Sequence, residues 1–570
     1  MPSKDFFSNK RLQLIVISIL VFFMYVRTTG YEYTGLDDVT LIESNYPFIK
    51  NFNNIPKAFK QHVLHVDKTL DNEKDYYRPM LTLSLMLDAQ IAGNSKPKWY
   101  HFANMLYHLT ACLILFLLLH KLKVNNIAAF LLTLLFAVHP VVDQAVAWIP
   151  GRNDILLAIF MMLSFMYFLN YIESKNTKDL VWHSVFFGCA LFTKENGIML
   201  PILFLFYLKF ISSPSPTLPK GKGVDAASPF LREGFRMGTG YAAFILLWLY
   251  LRGVAIAGST TDNSPQAFVS NFINNAPFML QYIGKAILPF NLSVMCMMED
   301  TNYMYVIAAI VILALGIYFS KNKRWSFVLF GLLWFILFLA PSFSARLVEG
   351  LEHRLYLPLI GFIILAAETD WMKGIQNSEL KIKNLAAPVG YILVLFFISN
   401  NRLSIFKNRF NFNISAMQTS QYAVVPCVNL AGDYQIAGNN QKAIEMYKVA
   451  LTRDSIYGIV HPKNRTSYYS ILHDNLGVIY LGRQQFAEAE QQFLLGSKSG
   501  DAYAIYHLAS VYTKTNRTQQ AVPLWKKVIA LQPNQPDFKD TYLRLAQYAK
   551  TNGDTATYTY YIQAYKKMGF

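Results

Sequence analysis

The chain has 570 residues, 53% of them hydrophobic and 15% charged, and 52 Lys and Arg against 35 Asp and Glu give a net charge of +17. A water-soluble protein carries about 25% charged residues, so a wholly soluble globular chain is excluded and a polytopic membrane protein is expected. Cations in such a protein collect on cytoplasmic loops, which leaves nucleic acid as the weaker explanation of the charge, and no nucleic-acid partner is expected. Four scattered cysteines, Cys112, Cys189, Cys296 and Cys427, make no CxxC pair or Cys/His cluster, so neither a disulfide framework nor a zinc site is readable.

Apolar runs long enough to cross a bilayer, roughly 17–25 residues, occur near 12–30, 101–120, 126–142, 154–171, 180–193, 196–211, 237–253, 303–320, 325–341, 354–368 and 385–400, eleven candidate spans in all. The first follows Lys4, Lys10 and Arg11, and the chain runs on through Arg27-Thr28-Thr29-Gly30-Tyr31 without a small-residue cleavage site. An uncleaved helix with a cytoplasmic N-terminus is expected. The alternate loops that this places in the cytoplasm hold Lys121 and Lys123; Lys209, Lys220, Lys222, Arg232 and Arg236; Lys321, Lys323 and Arg324; and Lys373, Lys381 and Lys383, as the positive-inside pattern requires. An odd number of spans then puts the C-terminal part on the extracytoplasmic side.

Residues 1–405 therefore read as a membrane domain with two long extracytoplasmic loops, 31–99 and 254–301. The first loop carries Pro47, Pro79 and Pro97 and short amphipathic stretches such as Phe48–His62, suited to lying on the membrane surface. Over 420–570 the composition turns soluble and a repeat emerges. Leu430-Ala431, Tyr434, Gly438, Ala443, Tyr447 and Ala450 return as Leu476-Gly477, Tyr480, Gly482, Ala489 and Phe493, and again as Leu508-Ala509, Tyr512, Ala521, Trp525 and Pro533. This is the tetratricopeptide pattern, in which small residues let two antiparallel helices approach and aromatics fill the gap between neighbours. An insertion around Ile456–Thr466 accounts for the longer first interval, and a degenerate fourth copy over Asp537–Phe570 is expected to cap the stack.

Ionisable residues beside a membrane are costly and usually functional. On the expected topology nearly all of them fall on one face: Asp37-Asp38, Arg78, His101 and His108, His139 with Asp143, Arg152 and Asp154, Lys194-Glu195, and Glu352-His353-Arg354. Plainer readings stand beside each. Asp37-Asp38 suits a turn or helix cap, the histidines suit buried hydrogen-bonded helix positions, Lys194-Glu195 suits a snorkelling pair, and Arg152-Asp154 and Glu352-Arg354 suit structural ion pairs.

The order of Leu36-Asp37-Asp38 after the first helix, Tyr77-Arg78-Pro79, Tyr100-His101 with Asn104 and His108, the block from Phe136 to Asp154 (FAVHPVVDQAVAWIPGRND), Thr193-Lys194-Glu195 and Arg354-Leu355-Tyr356-Leu357-Pro358 resembles the transmembrane and tetratricopeptide-repeat O-mannosyltransferases of the GT-C glycosyltransferase superfamily. Two departures stand out. Gln144 takes the place of the usual acidic residue before AVAW, with Asp143 one position earlier, and the Glu-Arg-Tyr-Leu-Tyr segment reads Glu352-His353-Arg354-Leu355-Tyr356.

The resemblance implies an all-α fold, a polytopic helical GT-C-type domain of about eleven spans followed by a soluble α-solenoid of three to four repeats. It implies a multi-pass enzyme that moves a mannose-like sugar from a polyprenyl-phosphate carrier to protein Ser or Thr hydroxyls on the extracytoplasmic side. Asp37 or Asp38 is then the expected general base, with inversion at the sugar; Arg78, Lys194 and Arg354 are the expected phosphate-binding cations, and His101, His139, Asp143, Arg152, Asp154, Glu195 and Glu352 their supports. Paired aspartates have the chemistry to hold a divalent metal, but the resemblance calls for none and no cofactor is expected. The repeats are expected to take the acceptor protein and the spans the membrane lipids. Two rival readings share these features: a transferase using a polyprenyl-pyrophosphate glycan, and a non-enzymatic membrane scaffold. A bacterial inner membrane with periplasmic repeats is the expected location, and an endoplasmic reticulum membrane, where the sequon Asn464-Arg465-Thr466 would matter, is the alternative.

Overall fold

A computed structural model of the chain describes residues 9–66, 76–212, 229–259, 262, 264–344, 349–376, 382–460, 468–533 and 535–567. Lys220, Lys222, Lys381 and the sequon Asn464-Arg465-Thr466 lie outside them. The chain divides into two compact units, Met1–Ser415 and Ala416–Phe570. Both are helical, and among the described residues the only bridge between extended segments pairs Cys296 with Gly350.

The larger unit is built on α1 (Lys10–Tyr25), α2 (Pro79–Ala92), α3 (Pro97–Lys121), α4 (Asn126–Ala137), α5 (Asp143–Ala147), α6 (Arg152–Ser174), α7 (Thr177–Thr193), α8 (Leu200–Tyr207), α9 (Pro229–Ala255), α10 (Pro265–Asn275), α11 (Phe278–Ile287), α12 (Tyr303–Phe319), α13 (Trp325–Leu339), α14 (Tyr356–Ala366) and α15 (Ile382–Arg402). Asparagines start many of them. The side chains of Asn9, Asn125, Asn176 and Asn302 each accept a backbone N–H that the first turn leaves free.

Every one of the eleven predicted spans is helical, but among the described residues seven helices are long and apolar enough to cross a membrane, or eight if the bent pair Asn126–Ala137 and Pro140–Ala147 is one span. The difference lies in length. The runs at 180–193 and 303–320 give helices of 17 residues and the run at 354–368 one of 11, short of the roughly 20 residues that span a bilayer. The short apolar α2 carries a further run that the sequence reading placed in a loop. α13 and α14 cross closely because Gly331 and Gly361 face each other; an added Cβ on Gly331 would strike the Gly361 carbonyl at 2.5 Å. In the loop after α1, expected to suit the membrane surface, Phe52 is exposed while most of the apolar residues are turned inward. Leu41, Ile42, Ile49, Ala58 and Val63 pack inward on Leu81, Leu85, Met86 and Ala89 of α2, with Phe48 against the same cluster.

The smaller unit is four helix hairpins: α16 (Val425–Ile436) with α17 (Asn440–Val460), α18 (Tyr469–Gly482) with α19 (Phe486–Ser497), α20 (Ala502–Lys514) with α21 (Thr518–Leu531), and α22 (Lys539–Thr551) with α23 (Thr555–Lys567). The repeat positions do what their size predicts. The ring of Phe493 lies where a Cβ on Gly477 would meet it at 2.5 Å, Ala431, Ala443 and Ala450 are fully buried, and Trp525 fills a core with Ala509 and Ala521.

A carboxylate open to solvent among paired cations

The two aspartates after α1 have opposite fates. Gly35 adopts a left-handed φ of +75°, a conformation that costs glycine little, and the side chain of Arg409 packs where a Cβ would stand. This turn carries Asp38 inward. Its Oδ2 accepts from the Thr34 backbone N–H at 2.7 Å and the Thr34 hydroxyl at 2.9 Å, so it closes the loop on itself and is 1% exposed. Asp37 points outward and remains solvent-accessible. Protein surrounds it closely enough for desolvation to hold its carboxyl above the usual carboxylate range, with Asp38 adding to that rise and the Arg78 guanidinium opposing it. The pair does not offer two open carboxylates to a metal, because Asp38 is committed to Thr34.

Arg78 lies just before α2, its guanidinium 4.6 Å from the ring centre of Tyr76 and 3.6 Å from Glu195. Tyr76 itself is exposed. Its phenol lies within electrostatic reach of Arg78, Arg354, Glu195 and Asp37 together, although desolvation dominates in raising its pKa. Lys194, in the break after α7, is buried and donates to Asp154 Oδ1 at 2.8 Å. The other oxygen of Asp154 faces His353 Nε2 at 3.8 Å, and the His353 ring packs on Trp148 with centroids 5.1 Å apart. Arg354 is partly exposed and donates to the Glu349 carbonyl at 2.8 Å. Segments far apart in sequence, around Asp37, Tyr76-Arg78, Asp154, Lys194-Glu195 and His353-Arg354, thus meet in one cluster. Acid, phenol and cation stand at its open side and a buried Lys194–Asp154 pair beneath.

The remaining predicted residues are spent on holding the bundle together. Arg152 does not pair with Asp154, as its position suggested. It is fully buried, bonded to Asp88 of α2, to Asn104 at 2.7 Å and to the Tyr100 carbonyl at 2.9 Å. Glu352 does not pair with Arg354 but with Lys285, at 3.1 Å, and with Arg402, and it accepts the Ser293 N–H at 2.7 Å. Asp143 accepts from Tyr25 at 3.1 Å and from Ser399, so α1 and α15 meet on it. Gln144 accepts the His353 N–H and donates to the Val294 carbonyl, both at 3.0 Å. His108 bridges Tyr356, at 2.7 Å, and the Ala137 carbonyl; His139 caps the turn before Val141, and His101 stacks edge-on to Tyr31 at 6.2 Å.

Sequence reading missed Asp88, Lys285, Arg402 and Tyr76. Asp88 sits in a run, PMLTLSLMLDAQIA, whose lone carboxylate inside an apolar helix was the available signal. Tyr76 gave none, since a tyrosine beside another in a loop is ordinary.

The family described as dolichyl-phosphate-mannose-protein mannosyltransferase matches residues 78–218. Human protein O-mannosyl-transferase TMTC3 is 24% identical over 530 residues, covering 82% of this chain and 54% of its own length. A Caenorhabditis elegans protein O-mannosyl-transferase is 27% identical over 376 residues, 62% of this chain and 50% of its own. Mouse TMTC1 reaches 33% over 133 residues, 21% of this chain and 14% of its own. The chain spans about half the length of the first two relatives. Among solved structures, the crystal structure of MamA covers 33% of this chain and 94% of its own at 16% identity and a TM-score of 0.23, too slight a likeness to bear on the fold. The resemblance read from the sequence is matched by these comparisons: the chain is similar to proteins named protein O-mannosyl-transferases, TMTC3 and TMTC1 among them.

Proposed function

We propose that the chain is a membrane glycosyltransferase of GT-C type that passes a mannose-like sugar from a polyprenyl-phosphate carrier to protein Ser or Thr, on the side of the membrane opposite its N-terminus. The observation that carries the reading is the cluster around Asp37, in which one open carboxylate lies within electrostatic reach of Arg78, and Tyr76 beside it within reach of Asp37, Arg78 and Arg354 together. A hydroxyl is a poor nucleophile until a base accepts its proton, a contribution of about 10²–10⁴-fold. Asp37 is that base. The acceptor oxygen attacks the anomeric carbon as its proton passes to Asp37, and the bond from that carbon to the phosphate oxygen breaks with its electron pair. The departing polyprenyl phosphate needs no proton, only positive charge at the developing anion, which Arg78 and Arg354 supply. Lys194 acts a layer below, because Asp154 already holds its amine at 2.8 Å. A single displacement inverts the anomeric carbon. The reading calls for no metal.

The repeats bring the acceptor segment to this site, and the relatives named protein O-mannosyl-transferases support protein as the acceptor. The test is transfer from polyprenyl-phosphate mannose to a Ser/Thr-rich peptide by the purified full chain, with the linkage read by mass spectrometry and the anomer by NMR. Inverted product from wild type and its loss in Asp37→Asn support the proposal. Transfer only from a pyrophosphate-linked glycan would replace it with the oligosaccharyl reading, and an inert wild-type chain with the scaffold reading.

A further inference from the structure

Helix α10 lies in the long segment between α9 and α12, and its sequence, PQAFVSNFINN, holds no charged residue. Successive side chains on a helix turn by about 100°, so these residues sort into three faces. Ala267, Asn271 and Asn275 face the protein. Asn271 donates to the Ser344 carbonyl at 3.2 Å and Asn275 to the Phe343 carbonyl at 2.9 Å, both where the apolar helix Trp325–Ser344 ends. Phe268, Val269, Phe272 and Ile273 form a second face and are 54%, 54%, 37% and 65% exposed. Gln266, Ser270 and Asn274 form the third, also exposed. An open groove of about 580 Å³ runs along the border of these two faces, lined by Pro265, Gln266, Val269, Ser270, Ile273 and Asn274.

A helix in water needs one polar and one buried face, and a helix inside a bilayer needs no water face. A helix with a protein face, an apolar face and an uncharged polar face fits the boundary between the two. α10 is also bonded at the end of an apolar helix long enough to cross a membrane, Trp325–Ser344, along which Trp325, Leu329 and Ile336 are exposed.

We propose that α10 lies in the membrane interface, with Phe268, Val269, Phe272 and Ile273 among the outer ends of the phospholipid acyl chains and Ser270 toward water. Its hold is apolar and therefore insensitive to salt, because α10 itself carries no charged residue. The helix that follows, α11, carries Tyr282, which donates to the Leu351 carbonyl at 3.1 Å. Interfacial α10 thereby fixes the height at which the segment leading to Arg354 meets the bilayer. The proposal rests on the membrane character of the chain and not on its activity.

Tryptophans placed by Phe268→Trp, Ile273→Trp and Ser270→Trp in the full chain, reconstituted in phosphatidylcholine nanodiscs, test it. The added emission of Phe268→Trp and Ile273→Trp should be quenched by lipids brominated near the glycerol end of the chain more than by lipids brominated near the methyl end. That of Ser270→Trp should be quenched by aqueous iodide. Equal iodide quenching of all three overturns the proposal, as does protection of the apolar positions that varies with protein concentration, which would make the face a contact with a second copy. Wild-type chain reconstituted with a photoactivatable phospholipid gives an independent reading: adducts on the peptide holding 268–273 are expected, and their absence overturns the proposal.

Discussion

Asp37 and Asp38 are neighbours, yet a single left-handed glycine assigns them different work. Sequence alone offered both as the base, because adjacency says nothing about which carboxylate the turn consumes; the Thr34 hydrogen bonds show that it consumes Asp38, which leaves Asp37 open for the proposed role. Asp37→Asn should lower kcat by about 10²–10⁴-fold, as expected for loss of a general base, without loss of thermal stability. A carboxyl whose pKa is raised on folding is penalised for ionising in the folded state, so above that pKa its charge lowers stability. Removing the charge should therefore leave Tm equal or higher. By the same sign kcat/KM should fall as pH drops through a value above the ordinary 3.8 for aspartate, a limb that vanishes in residual Asp37→Asn activity. Asp38→Ala should do the opposite, losing about 1–3 kcal/mol by stranding the buried Thr34 donors, as read by thermal unfolding in detergent. Tyr76→Ala should raise the KM for the lipid donor with little change in KM for peptide, and Tyr76→Phe should restore most of it, since the ring over Arg78 is retained.

Individual helices were the most legible layer of the sequence, because a run of Leu, Ile and Phe forms a helix whatever its neighbours do. How far each helix reaches was less so. Whether the apolar run at 303–320 spans a bilayer depends on a length that two caps set, Asn302 and Ser320. Pairings between helices were hidden further. Arg152 and Asp154 stand two apart, and on a helix such residues do not face each other; Arg152 turns to Asp88 of α2 and Asp154 to Lys194. Arg152→Leu should strand buried Asp88 and cost about 3–5 kcal/mol, seen as lost monodisperse protein on size exclusion. Gly361→Val should force α13 and α14 apart, an overpacking cost of about 1–3 kcal/mol, with the same readout.

At the scale of the molecule the repeats were plain from their spacing of small and aromatic residues, whereas the site was legible only as a set of charged positions near span ends. Which of them cooperate and which merely brace the bundle follows from tertiary pairing, and no local pattern encodes it. Deleting 416–570 should leave binding of the polyprenyl-phosphate sugar intact while reducing transfer to protein acceptors, a split measured by donor binding against peptide modification.

Tyr25 and Ser399 meet on Asp143, Arg402 closes on Glu352 and on the Pro140 carbonyl at 2.7 Å, and Arg27 reaches Asn400. During synthesis Asp143 and Glu352 are each made after one partner, Tyr25 and Lys285, and before another, Ser399 and Arg402. A nascent chain therefore holds both carboxylates with only part of their partners until helix Ile382–Arg402 arrives, and a product released early, before residue 399, should be recognised as defective and degraded.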